Sequence, residues 1–123
     1  MKNKKILNTL ADIAKRSPKV GNARVVAALV RRNKILAIGR NSKKSSVMAR
    51  RFQKHGLAQY DHAEINALYA YLTEYNKKNL CKCTMYVCRV VWCEGKWRLA
   101  NAAPCDGCRS ALQHFNIRRI VFS

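Results

Sequence analysis

Apolar side chains recur along this chain with two different periods, and the switches between them lay out its elements. Over residues 3–16, Ile6, Leu10 and Ile13, flanked by Leu7 and Ala14, fall at helical spacing and predict an amphipathic helix. Ser17-Pro18 ends it, because the residue before a proline is driven out of helical backbone, and Gly21-Asn22 supplies a turn. Residues 23–31 are nearly continuous apolar, the pattern of a strand covered on both faces. Arg32-Asn33 is short enough to join them to a second strand, Lys34–Gly39, as an antiparallel hairpin. A second helix is expected over 62–76, with Ile65, Leu68, Tyr69 and Leu72 lining one face. A third strand is expected over 83–92, Glu94-Gly95-Lys96 is a turn, and Trp97–Ala100 returns as a short strand or rim. A third helix starts at Pro104 or Cys105 and presents Cys108, Ala111, Leu112 and Phe115 inward, and Arg118–Phe122 is the last strand. Strands that alternate with helices imply an α/β fold, a sheet with parallel members and helices on both faces.

Length agrees with that plan. The 123 residues suit one domain over 1–123, and 49% apolar residues can fill one core. The unbroken apolar runs, such as Val25–Val30, are too short to cross a bilayer, and no apolar run follows the basic Met1–Lys5 as a secretory signal would need. The chain is therefore expected in the cytoplasm, without a membrane, with its six cysteines reduced. It has no Gly-rich turn of the kind a dinucleotide fold requires.

Charge changes the picture most. Twenty-five Lys and Arg against six acids give a net charge of +19. Three of the acids, Asp61, Glu64 and Asp106, lie inside two short motifs, so the remaining surface is almost uniformly basic. Such a surface attracts phosphate on a nucleotide or on a polymer, although a Lys- and Asn-rich composition alone produces the same number. Residues 40–60 are polar and basic, with Arg40, Lys43, Lys44, Arg50, Arg51 and Lys54, and Val47, Met48 and Phe52 as anchors for a short helix. A connection this long has a function or is disordered, and this one runs straight into the first motif.

The motifs are Asp61-His62-Ala63-Glu64 and, about forty residues later, Pro104-Cys105-Asp106-Gly107-Cys108. Each stands at the start of an expected helix. Proline is tolerated in a first turn, and Cys105 and Cys108, spaced i, i+3, share one face of it. A helix N-terminus favours the thiolate that zinc needs. With His62 they form a Cys2His set, and catalytic zinc commonly keeps three protein ligands and leaves a fourth position for water. Glu64, two residues beyond His62, is the candidate general acid/base. Taken singly, each motif has a plainer reading: Asp61-x-x-Glu64 fits a capping box with Asp61 as N-cap, and Cys105-x-x-Cys108 fits a structural zinc half-site or a redox pair. The two together leave those readings little room. Cys81-x-Cys83 places two thiols on one face of a strand and reads as buried thiols before a second metal site. Cys88 and Cys93 belong to the same strand. His114, in the third helix, reads as structural; His55 falls in the basic loop.

H-x-E followed by P-C-x-x-C is the signature of zinc-dependent base deaminases, and the chain resembles the cytidine and deoxycytidylate deaminase superfamily over most of its length. His62-Ala63-Glu64-Ile65-Asn66-Ala67-Leu68 is similar to the deoxycytidylate form of the first motif, where free cytidine deaminases usually have Cys first. Gly39-Arg40-Asn41 with its Lys/Ser-rich sequel, and Tyr86-Val87-Cys88-Arg89, resemble small phage-type members. The resemblance implies a three-layer α/β/α cytidine deaminase-like fold with a mixed, about five-stranded sheet. It implies one Zn2+ per chain on His62, Cys105 and Cys108, with Glu64 catalytic. It further implies Asn41 on the sugar hydroxyl, the Ala63 backbone N–H on the pyrimidine, Lys43, Lys44 or Arg89 on a 5′-phosphate, and a homo-oligomer. Asp106-Gly107 and Tyr60-Asp61 depart from the tRNA adenosine deaminase pattern, and the chain is short for the regulatory apparatus of longer deoxycytidylate deaminases.

Three functions compete. The first is hydrolytic deamination of cytosine in a free nucleoside or nucleotide, dCMP or deoxycytidine foremost. The second is editing of cytosine in single-stranded DNA or RNA, bound through the basic surface with Phe52, Tyr60, Trp92 and Trp97 as stacking platforms. The third is a zinc-stabilised nucleic-acid-binding module without catalysis, against which Glu64 argues, because a structural zinc needs no adjacent acid/base.

Overall fold

In the computed structural model, residues 2–16, 23–41, 62–103 and 106–123 are described. Helix α1 (Lys2–Arg16) precedes the hairpin β1 (Ala23–Arg31) and β2 (Lys34–Arg40). Helix α2 (Ala63–Glu74) leads through a 3-10 segment (Lys77–Lys82) into the hairpin β3 (Thr84–Cys93) and β4 (Lys96–Ala100). Helix α3 (Asp106–His114) and strand β5 (Arg119–Phe122) complete the chain. Arg32 and Asn33 both take positive φ, 53° and 63°, the two-residue turn whose twist matches a hairpin.

The five strands form one mixed sheet in the order β2-β1-β3-β4, with β5 on β3. β1 is antiparallel to β2 and β3, and β4 is antiparallel to β3. β5 runs parallel to β3, as a crossover through a helix requires. β3 is long enough to pair two strands end to end along one edge: Arg89–Cys93 take β4, and Thr84–Val87 take β5. Ser123 stitches the junction. Its N–H donates to the Val87 carbonyl (3.0 Å), and its hydroxyl accepts from the Arg89 N–H (3.0 Å) and donates to the Ala100 carbonyl (2.7 Å).

Period-2 alternation in β1 and β3 splits the core between the two faces. Val26, Ala28, Val30, Tyr86, Cys88 and Val90 meet Ile6, Leu10, Ala11 and Ala14 of α1. Ala27, Leu29, Met85 and Val87 meet α2 and α3 on the other side through Ile65, Leu68, Tyr71, Ala111 and Leu112. This is the three-layer arrangement expected. The face of α2 differs from expectation: Tyr71 is buried at 2% exposure and Tyr69 stands out at 61%. Tyr71 turns inward toward Cys83, and burial raises its hydroxyl pKa above the ordinary range. Cys81 and Cys83 do not share a strand face. Cys81 lies in the 3-10 segment, exposed, and Cys83 caps that segment, buried. No helix among the described residues is long and apolar enough to cross a membrane.

Candidate active site

The site is assembled where the N-terminus of α2 crosses the carboxyl end of β2. Gly39 makes the crossing. A Cβ there would run into the backbone of Ala63, Asn66 and Ala67, so only glycine lets the first turn of α2 lie directly on the strand. The Asn66 amide then donates to the Arg40 carbonyl (2.6 Å) and fixes the helix along it.

His62 is the N-cap of α2, with extended backbone (φ −84°, ψ 155°) and no side-chain cap hydrogen bond. The capping position is His62; Asp61, the N-cap of the capping-box reading, lies outside the described residues. The imidazole turns instead toward α3, where Nδ1 lies 3.1 Å from Cys108 Sγ. Cys108 is buried at 2% exposure. Glu64, one step inside α2, is 5% exposed and is the sole charged or polar residue buried among the described residues. A buried carboxylate is costly unless it is paired or hydrogen-bonded. Its neighbour Ala63, 1% exposed, begins the helix whose first N–H groups have no intrahelical acceptor.

The candidate substrate residues fall on the same side of the sheet. Asn41 follows β2 and extends its ladder, donating its N–H to the Val25 carbonyl (3.1 Å) and accepting from the Val25 N–H through Oδ1 (3.0 Å). Val25 pairs with Arg89, and Arg89 with Ala100, so Asn41, Val25, Arg89 and Ala100 form one row across the sheet. Val25 packs against the core under α2, which puts the whole row on the α2 face. Asn41 and Arg89 stand two strands apart, roughly 10 Å at ordinary strand spacing. The row passes the carboxyl end of β2, where ligands bind in open α/β sheets, and crosses the middle of β3.

Cys105, Lys43 and Lys44 lie outside the described residues, as do Asp61, His55 and the whole basic connection from 42 to 61. The described donors fit zinc in kind and nearly in place. Nitrogen and thiolate bound to one tetrahedral zinc are about 3.6 Å apart, so parting His62 and Cys108 by about half an ångström makes room for the ion. Among the described residues no three potential ligands cluster. The remaining cysteines are elsewhere: Cys88 is buried under α1 and Cys93 is exposed at the hairpin end. His114 lies against the Phe115 ring, edge to face at 5.0 Å. It lines an open depression of about 240 Å³ with Lys77, Lys78 and Cys81, at the ends of α2 and α3 away from His62. Gly39 and Asn66 position the site although their residue types carry no catalytic signal; the only cue in the chain is their place beside Asn41 and Glu64.

A family model described as the cytidine and deoxycytidylate deaminase zinc-binding region matches residues 1–123. Among solved structures the chain is similar to a dCMP deaminase from the cyanophage S-TIM5 in apo form. The TM-score is 0.61 at 16% identity, over 98% of this chain and 80% of that one. It is also similar to RibD of Acinetobacter baumannii, with a TM-score of 0.54 at 17% identity. That match covers 99% of this chain but only 28% of RibD. At these identities the likeness is one of fold. No curated protein matches the sequence.

Proposed function

The chain belongs to the cytidine and deoxycytidylate deaminase family, and from that premise we propose that it hydrolyses the 4-amino group of a free cytosine nucleoside or nucleotide, dCMP or deoxycytidine foremost, as one domain over residues 1–123. The family is one of zinc-binding hydrolases that deaminate cytosine, and the mixed sheet with helices on both faces is its fold. The observation that carries the reading is Glu64, buried two residues from a histidine whose Nδ1 faces Cys108 at 3.1 Å.

His62, Cys105 and Cys108 would hold one zinc ion per chain. When bound, zinc supplies the Lewis acidity that activates water toward C4 of the ring. Glu64 takes one proton of the attacking water to the ring nitrogen, where it stays, and then carries the second, from the new C4 hydroxyl, to the departing amine. The C4–N bond breaks, ammonia leaves, and the oxygen of water stays as the uracil carbonyl, so no redox partner is needed. Burial of Glu64 keeps bulk water from competing for that proton. The Ala63 N–H, at the start of α2, meets the pyrimidine, and Asn41 meets the sugar hydroxyl. Arg89, in the same row, takes a 5′-phosphate together with Lys43 or Lys44.

Ammonia release from the zinc-loaded protein, measured with cytidine, deoxycytidine, CMP, dCMP and a cytosine-containing single-stranded oligonucleotide, tests the proposal. The expected result is turnover of the mononucleotide or nucleoside, with the deoxy forms preferred. Turnover of the oligonucleotide alone would make the enzyme a polynucleotide editor.

A further inference from the structure

The hairpin of β3 and β4 runs past the described part of β1. Among the described residues β1 pairs with β3 as far as Ala23 opposite Val91, and Trp92, Cys93, Lys96 and Trp97 lie beyond that pair. Strand parity places Trp92, Trp97 and Leu99 on the face that α1 covers farther along, opposite the face that carries His62 and Glu64. The described part of α1 leaves Trp92 and Leu99 open, while Trp97 is partly buried against the cluster beneath it. Trp92 is 53% exposed and Leu99 57%, an apolar patch on a protein with few acids.

The aromatic pair is fixed. Trp92 and Trp97 pack edge to face with centroids 5.3 Å apart. The Arg24 guanidinium lies over the Trp97 ring, 4.4 Å from its centroid, and also donates to the Lys15 carbonyl at the end of α1. That bond matters electrically, because the carbonyl end of a helix repels phosphate and here an arginine caps it. Lys15 and Arg16 lie beside it, and Arg89, Lys96 and Arg98 lie on the other face of the same ribbon. The acids nearby in the chain are Glu94, which pairs with Arg98 at 3.5 Å, and Asp12 in α1.

We propose that the Trp92/Trp97 hairpin, with Arg24 and the Lys15-Arg16 end of α1, is a docking surface for single-stranded nucleic acid, separate from the deaminase site. An exposed indole held by a neighbouring ring is a stacking platform for an unpaired base, and the surrounding cations take the phosphates on either side. A duplex has no free base face to offer it. A second copy docked face to face here would set Lys15, Arg16 and Arg24 against their own counterparts. The surface explains where a share of that charge is used, and it does not depend on which cytosine substrate the active site takes.

The chain has two tryptophans, both in this surface, so intrinsic fluorescence reads it directly. The probes are oligothymidylate and oligouridylate of about fifteen nucleotides, within the range of single-strand site sizes. Neither base carries a 4-amino group, so the deaminase site contributes no turnover. The expected result is quenching on titration, with affinity falling as salt rises by a slope of about −0.7 per phosphate engaged. Trp92→Ala should weaken binding by about 5- to 100-fold, Trp92→Tyr should restore most of it, and both should keep the wild-type rate of cytosine deamination. The difference between the two probes tells DNA from RNA. Binding of the oligonucleotide without quenching, or with the same affinity in Trp92→Ala, would overturn the proposal by showing that charge alone holds the strand. A Trp92→Ala change from oligomer to monomer at unchanged oligonucleotide affinity would overturn it in favour of self-association.

Discussion

At the scale of single residues the site rests on one absent side chain and one buried one. Gly39 lets the α2 backbone lie on β2, and the obstructing atoms around a Cβ there are backbone, which has no rotamer to escape into. Gly39→Ala is therefore expected to cost about 3 kcal/mol, the upper range for overpacking, and to lift the helix start that carries His62 and Glu64. Urea denaturation of the two proteins measures the first effect, and their zinc content the second. Glu64 is legible in the sequence by its spacing from His62, whereas Gly39 is not: a glycine before Arg40-Asn41 reads as an ordinary strand end until α2 is laid on it. Arg89 and Asn41 are far apart in the chain, and only strand register puts them in one row.

At the scale of elements, local pattern carried most of the fold. The Arg32-Asn33 turn, the amphipathic α1 and the Glu94-Gly95 hairpin are where periodicity and turn chemistry place them, because each is settled by neighbours in sequence. The errors arise where distant partners decide. Tyr71 displaces Tyr69 because the 3-10 segment folds back and offers Cys83 to it. That segment, Lys77–Lys82, has one buried apolar residue, Leu80, too few to show a period. β5 shares an edge with β4 only because β3 is long enough for both. Burial also leaves a titration signature. Cys83 and Cys88 are both raised above the usual thiol range, each chiefly by desolvation. Since the unfolded chain ionises these thiols first, it releases protons while the folded chain keeps them, and stability falls as pH rises through that range; below it the contribution is intact. Under reducing conditions, melts between about pH 7.5 and 9.5 should show a steeper alkaline loss for the wild type than for a Cys83→Ala/Cys88→Ala double variant. Equal slopes would remove burial of those thiols as the cause.

At the scale of the whole molecule, the sheet separates two kinds of chemistry. Its α2 face carries the buried acid, the histidine and the thiol near the carboxyl end of β2, and its α1 face carries the tryptophans. Under the two proposals the +19 charge serves both, steering a nucleotide to one face and a single strand to the other at low ionic strength. The central claim concerns the first face: that Glu64 moves the proton while His62, Cys105 and Cys108 hold the metal. Its most direct test is to measure zinc content and ammonia release from dCMP on the same preparations of the wild type and Glu64→Gln. One zinc per chain in both, with turnover in the variant lower by about 10²- to 10⁴-fold, is the expected result. A variant that keeps full turnover, or one that loses zinc along with activity, would contradict the separation of acid/base from ligand on which the account stands.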